Sequence, residues 1–130
     1  MDALTVLRRE HTRIGQLFVE FDALPERARN GRKALIDELD ALVRRHIDIE
    51  DALIYQEIAT APEWADDRIT LVHSQEEHRL VVTLLDNIVA TDCHSDAYIA
   101  RVRILRDVLL RHIAEEEEHI FSVYAGSHAA

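Results

Sequence analysis

The chain is poor in the residues that interrupt regular structure and in the residue that crosslinks it. Its 130 residues include only three glycines, two prolines and one cysteine. So few glycines and prolines favour long helices, and residues such as Leu, Arg and Glu lose little side-chain freedom in a helix. The single cysteine, Cys93, excludes an internal disulfide and a thiolate zinc site.

Long apolar runs and an excess of positive charge are also missing. No stretch approaches the length of a membrane-spanning helix, and the first residues, MDALTVLRRE, do not form a signal peptide. We therefore expect a cytoplasmic protein. The formal net charge of −10 argues against nucleic acid or an anionic membrane as partners, because phosphates would be repelled. Eight histidines are present, and they suggest metal binding, although pH sensing or chance could also explain the count.

Turn signals divide the chain into four segments of helical length. They lie in PERARNG (25–31), APEWADD (61–67) and DCHS (92–95). The predicted helices cover 2–24, 32–60, 67–91 and 96–124. Short loops make successive helices antiparallel neighbours. The sequence therefore predicts an all-α protein, an up-down-up-down antiparallel four-helix bundle over 1–124 with a short C-terminal tail at 125–130.

Each predicted helix carries an apolar stripe at three- and four-residue spacing, and metal-binding residue types interrupt the stripes. The four stripes are Leu4, Leu7, His11, Ile14, Phe18 and Phe21; Leu35, Leu39, Leu42, His46, Ile49 with Glu50, and Leu53; Leu71, Ser74, His78, Val81, Leu85 and Ile88; and Val102, Leu105, Leu109, His112, Glu116, His119 and Val123. The two halves resemble each other, with RREH and RHIDIE in one and QEEH and RHIAEE in the other.

The up-down topology brings these interruptions to one level of the bundle. In His46-x-x-x-Glu50 and His112-x-x-x-Glu116, imidazole and carboxylate share one helix face, and His11 and His78 face them at similar depth. Buried glutamates are costly unless they are paired or bound to a cation. Mixed imidazole and carboxylate ligands favour iron over manganese or zinc. A metal-free hydrogen-bonded network remains an alternative, and so does a ferritin-like site, although Glu-x-x-His occurs only once, at Glu116 and His119.

The motifs resemble the hemerythrin (HHE cation-binding) family over nearly the whole chain. They are REH at 9–11, HIDIE at 46–50, EEH at 76–78 and HIAEE at 112–116. The resemblance implies two Fe ions in an oxo- or hydroxo-bridged and carboxylate-bridged di-iron centre. It makes His11, His46, His78 and His112 terminal metal ligands, and Glu50 and Glu116 bridging ligands.

Four further residues are candidate ligands or hydrogen-bonding neighbours of that centre: His73, Glu117, Tyr55 and His119. Oxygen-carrying hemerythrins have a second histidine where this chain has Ser74, and His73 could replace it only through a helix bulge. Carriers also place the helix 4 carboxylate at the spacing of Glu117, whereas the stripe favours Glu116. A regular helix would point Tyr55 away from the ligands, which predicts a packing or hydrogen-bonding role unless the helix is distorted.

The resemblance implies a protein that binds or reacts with O2, hydrogen peroxide or nitric oxide, and catalase-like turnover if it is an enzyme. Fewer histidines than in a carrier would leave more open positions and favour reaction over reversible binding. The alternatives are iron storage without turnover and a metal-free acidic interaction module. The expected partner is a small diatomic or peroxide ligand, and the expected assembly is a monomer or a weak homo-oligomer.

Overall fold

The computed structural model describes residues 2–128, with side chains to residue 126. Its helices in chain order are α1 (Ala3–Ala23), α2 (Arg29–Glu50), a π-helical turn (Asp51–Tyr55), α3 (Gln56–Thr60), a 3-10 turn (Pro62–Asp67), α4 (Arg68–Val89), α5 (Asp96–Glu115), a second π-helical turn (Glu116–Phe121) and α6 (Ser122–His128). No strand occurs among these residues. Since each π turn continues the helix before it, the chain forms four bundle helices, which confirms the predicted all-α fold.

Neighbouring helices in the chain are also neighbours in space. Helix α1 packs against α2 and α5, while α4 packs against α2 and α5, so the four long helices form a closed ring. The predicted helix boundaries differ from the observed ones by a few residues. For example, α2 begins at Arg29 and not at residue 32. Helix α6 continues through residues 125–128 of the predicted tail, and residues 129 and 130 lie outside the described part.

Local interactions fix the ends of the helices. Asp2 caps α1 by accepting a hydrogen bond from the Thr5 backbone N–H at 2.8 Å, which satisfies a donor that the helix cannot. After α1, the buried Arg32 donates to the carbonyl oxygens of Leu24 and Glu26 at 3.0 and 2.7 Å. These contacts tie the first loop to α2 and set the depth at which α1 and α2 face each other.

The interior consists of two apolar clusters. The larger lies toward the 24–28 and 90–95 loops and includes Ile14, Leu39 and Leu105. The smaller lies at the other end of the bundle, where Trp64 of the 3-10 turn stacks on Tyr124 with ring centroids 5.9 Å apart. The buried polar side chains described below separate the two clusters. On helix 2 the predicted stripe was shifted slightly, because Leu35 and Leu42 are only partly buried beside fully buried neighbours.

The two π turns change the register of the second and fourth bundle helices. A π turn adds one residue to a helical turn, so side chains after it rotate relative to a regular α-helix. The predicted stripe position Leu53 is therefore 51% exposed, and Ile54 and Tyr55 are buried instead. In the fourth helix His119 is exposed and Phe121 is buried. The stripe positions predicted at Leu53 and His119 were wrong for this reason, whereas Val123 is half-buried against the smaller cluster.

No helix in the described part of the chain is both long enough and apolar enough to cross a membrane.

Candidate metal centre

The six side chains predicted as metal ligands meet in one layer between the two apolar clusters. All are at least 95% buried: His11, His46, Glu50, His78, His112 and Glu116. Each of the four long helices contributes to the layer, as the up-down arrangement requires. A layer of imidazoles and carboxylates enclosed by apolar side chains is costly unless positive charge balances it.

An acidic side chain contacts the outward-facing Nδ1 atom of each imidazole. The pairs are His11 with Glu117 at 3.0 Å, His46 with Glu10 at 3.0 Å, His78 with Asp51 at 3.3 Å and His112 with Glu77 at 3.2 Å. A carboxylate can only accept, so each Nδ1 must carry the hydrogen and donate it. In a neutral imidazole that arrangement leaves a lone pair on every Nε2 atom, and metal-binding histidines have the same outer contact.

The inward-facing atoms lack the hydrogen-bond donors that they need. His11 Nε2 lies 3.0 Å from both His46 Nε2 and Glu116 Oε1, so acceptor atoms face one another. Among the described residues, both oxygens of Glu50, His112 Nε2 and Glu116 Oε1 have no hydrogen-bond partner. Lone pairs of buried nitrogen and oxygen atoms can converge in this way if cations lie between them. The residues therefore fit a metal site on their own geometry.

The inward-facing atoms form two groups that share one carboxylate. His11, His46, Glu50 and Glu116 offer ligand atoms within 4.8 Å of one another, and His78, His112 and Glu116 form a second such group. A carboxylate has two oxygens, and Glu116 directs Oε1 at His11 and Oε2 toward His78 and His112 at 3.8 and 3.5 Å. Glu50, which the resemblance made a second bridging ligand, offers a ligand atom to the first group only. Both groups therefore contain a donor set that could hold a metal cation, and Glu116 belongs to each of them.

Tyr55 reaches this layer because of the first π turn. Its hydroxyl donates to Glu116 Oε2 and lies 2.6 Å from Ser74 Oγ and 3.4 Å from His78 Nε2. The prediction from a regular helix, that Tyr55 points away from the ligands, was wrong, since the helix is distorted where the tyrosine needs it. The Tyr55 hydroxyl therefore lies beside the second ligand group, next to Ser74.

Burial and close contacts shift the pKa values of the side chains in the first ligand group. Burial lowers the pKa of His11, but the hydrogen bonds and charges of Glu116 and Glu117 outweigh it and raise that pKa above 6.5. Burial and the neighbouring Glu116 raise the pKa of Glu50 well above its ordinary value. By contrast, burial and the charge of His11 lower the pKa of His46 to about 4. The shifts thus go in opposite directions within one group, because burial disfavours charge while each neighbouring charge favours or opposes it.

Burial and neighbouring charges also shift the pKa values of the side chains around the second group in opposite directions. Burial lowers the pKa of His78, and its contacts with Asp51 and Glu116 outweigh that effect and raise it. Burial would raise the pKa of Glu116, but its close contacts with Glu50 and with the surrounding imidazoles hold that pKa well below its ordinary value. Burial, with the charge of Glu116 beside it, raises the pKa of Tyr55, so its hydroxyl keeps its proton.

The other candidate residues lie outside the buried layer. His73 has a side chain that is 66% exposed and lies 3.5 Å from Glu77 Oε1, because α4 has no bulge that would turn it inward. His119, predicted to lie one turn beyond Glu116 on the stripe, is exposed. Its exposure also removes the Glu-x-x-His pair that a ferritin-like site would use. Glu117 contacts His11 on the outer side, as described above.

Sequence reasoning missed three of the four outer carboxylates, namely Glu10, Asp51 and Glu77. The internal repeat contained a signal for them. An acidic residue precedes the histidine in both RREH and QEEH, and an acidic residue follows the glutamate in both RHIDIED and RHIAEEE. Each acid precedes or follows a ligand on its own helix and pairs with the imidazole of an adjacent helix.

A comparison with protein families gives the same result as the geometry. The model of the hemerythrin HHE cation-binding domain matches residues 2–124. The chain belongs to the hemerythrin HHE cation-binding family. The match spans the four bundle helices and all six buried ligand-type residues, and it confirms the resemblance drawn from the motifs. No curated protein and no solved structure was found to match the chain.

Membership of the hemerythrin HHE family and the buried donor set together identify this chain as a helical cation-binding domain. Sulfur takes no part in the buried layer, whose donors are imidazole and carboxylate. Such a donor set suits iron, manganese and zinc, and does not resemble a structural zinc finger or an iron–sulfur site.

Proposed function

We propose that this hemerythrin-like domain holds two iron ions in the buried layer and uses them to bind or react with O2, hydrogen peroxide or nitric oxide. The observation that carries the proposal is the pair of ligand groups joined by Glu116. One ion would be held by His11, His46, Glu50 and Glu116. The other would be held by His78, His112 and Glu116. Bound iron would supply one-electron redox chemistry and open positions for a small ligand.

The protein residues hold the site in a form that is ready for cations. The outer carboxylates fix each imidazole in the tautomer that leaves Nε2 free, and they increase the basicity of the ring. Apolar side chains on both sides of the layer, such as Ile14 and Phe121, keep bulk water away. The cavity between these side chains has a volume of only about 10 Å³, which favours small ligands over a bulky organic substrate.

The two groups differ in the number of donors, and this difference favours reaction over reversible carriage. The first group has two imidazoles and two carboxylates, whereas the second has two imidazoles and one carboxylate. Ser74 stands where the resemblance to oxygen carriers would place another histidine, and Tyr55 donates a hydrogen bond to Glu116 on that side. A small oxidant would therefore find its open position on the second side, with the Tyr55 hydroxyl as a nearby proton donor.

Iron analysis with an anion-binding spectrum tests the proposal. Purified protein should contain two iron ions per chain, and its absorption bands should shift when azide is added. His78→Ala should lose iron, whereas the control His94→Ala, in the exposed loop before α5, should not. A protein that is fully stable and binds no metal, or equal iron in both variants, would contradict the proposal.

An oxygen electrode separates turnover from storage. On addition of hydrogen peroxide, the iron-loaded protein should release oxygen, and the metal-free protein should not. Iron binding without oxygen release would refute the catalase-like form of the proposal and favour iron buffering. The control for iron released into solution is the same amount of free iron without protein.

A further inference from the structure

A second cluster of ligand-type residues lies on the surface directly outside the buried layer. His73, Glu77 and Glu115 offer ligand atoms within 4.8 Å of one another. The cluster combines the exposed imidazole of His73 with the largely buried carboxylate of Glu77 on α4 and the partly buried carboxylate of Glu115 on α5. It shares no residue with the six ligands of the buried layer.

A pocket connects this cluster with the buried layer. The pocket, of about 60 Å³, is lined by His73, Glu77 and Glu115 at its outer part and by the buried His112 and Glu116. Of these inner residues, His112 has an Nε2 atom with no hydrogen-bond partner in the described part of the chain. Since His112 is 98% buried, the pocket extends from an exposed set of ligands to a buried residue with an unpartnered ligand atom.

Glu77 contacts both the surface cluster and the buried layer. Its Oε1 atom lies 3.5 Å from His73 Nε2 on the surface side and 3.2 Å from His112 Nδ1 on the buried side. A cation held by His73 and Glu77 would thus lie one side chain away from the imidazole of the second ligand group. The outer carboxylates of the other three buried histidines, Glu117, Glu10 and Asp51, have no second imidazole beside them among the described residues.

We propose that His73, Glu77 and Glu115 form a loading site, which captures a divalent cation at the surface and passes it through the pocket to His112 and Glu116. The inference rests on the proposed metal centre. Imidazole and carboxylate are ligands that iron, manganese and zinc accept. Donors bound to one such ion lie at most about 4 Å apart, so closing the cluster needs only small side-chain movements. Three ligands, one of them exposed, hold an ion weakly enough to release it inward.

The loading rate of metal-free protein with Co²⁺ tests the proposal, because cobalt absorbs visible light when it is bound by protein ligands. The double variant His73→Ala/Glu115→Gln should fill the buried layer about tenfold or more slowly at low Co²⁺ concentration, since local capture raises the on-rate by such factors. Its final content should remain two ions per chain. The matched control, His94→Ala/Glu118→Gln, makes the same chemical changes at exposed positions and should load at the wild-type rate.

Anomalous scattering from crystals of the wild-type protein soaked briefly in Co²⁺ gives an independent readout. A peak between His73 and Glu115 should appear before the buried peaks are complete, and the double variant should lack it. An unchanged loading rate, no surface peak, or a lower final content in the double variant would overturn the proposal. If the wild type shows the surface peak and no buried peak at any time, the proposed metal centre fails, and capture at the surface stands without inward transfer.

Discussion

Replacement of Glu50 by methionine should make the metal-free protein more stable and the metal-loaded protein less stable than the wild type. Glu50 is 99% buried, and neither of its carboxylate oxygens has a hydrogen-bond partner among the described residues. Burial raises its pKa well above 4.5, so at neutral pH folding requires it either to take up a proton or to hold an unbalanced charge. Methionine has a similar volume and needs no partner.

The size of the effect follows from the cost of buried ionic groups. Replacing such groups with apolar residues of similar volume stabilises proteins by about 1–4 kcal/mol in known cases. For a chain of this length each kcal/mol shifts the melting temperature by roughly 3–6 °C. Cations at about 100 times their dissociation constant stabilise the wild type by about 2.7 kcal/mol per site, and the variant loses that contribution wherever Glu50 is needed as a ligand.

Thermal unfolding in chelator and in excess metal measures both effects. In chelator Glu50→Met should melt at a higher temperature than the wild type, and in excess Fe²⁺ without oxygen the order should reverse. Glu38 is an exposed glutamate on α2, so the control variant Glu38→Met should show neither the higher melting temperature in chelator nor the lower one in excess Fe²⁺. A variant that is less stable than the wild type in chelator would refute the reasoning, because Glu50 would then belong to a satisfied network that needs no metal.

Three further predictions follow from the contacts around the layer. Glu10→Gln removes the carboxylate that lies 3.0 Å from His46 Nδ1. The variant should bind metal about 10–100-fold more weakly in a chelator competition assay. Unchanged affinity would show that the contact does not orient the His46 ring. Tyr55→Phe should retain both metal ions and alter the azide-induced spectrum, since the hydroxyl lies beside the second ligand group; an identical spectrum would contradict its place at the open side. Between pH 8 and pH 6.5 the metal-free protein should gain stability on acidification. The folded-state pKa values of His11 and His78 are raised above 6.5, and the stability that their protonated forms contribute is lost as the pH rises through those values. Urea unfolding in chelator measures this, and a loss of stability on acidification over that range would contradict the prediction.

The sequence was sufficient to predict the bundle and the composition of the buried layer. Three- and four-residue spacing marks the ligand-bearing face of each helix as far as Glu50 and Glu116, although Leu35 and Leu42 lie at the edge of the core rather than inside it. The repeat of the His-x-x-x-Glu motif placed both carboxylates on ligand-bearing faces. Burial of all six side chains in the structure agrees with that assignment.

The residues after the two glutamates could not be placed in the same way. A π turn leaves no mark in apolar spacing, because the sequence continues to look helical while the register moves by one residue. Regular helical spacing therefore predicts an outward-pointing Tyr55, which in fact contacts Glu116, and an inward-pointing His119, which is exposed. The outer carboxylates were missed for another reason, since their partners lie on adjacent helices and far away in the sequence.

The positions of bound iron test the central claim most directly. Metal-free protein should be loaded with Fe²⁺ without oxygen and crystallised, and anomalous difference maps should be calculated from data collected above and below the iron absorption edge. Two iron peaks inside the bundle, one beside His11 and His46 and the other beside His78 and His112, with Glu116 next to both, are the result that we predict. A single peak, or no peak between these six side chains at full iron loading, would contradict the account.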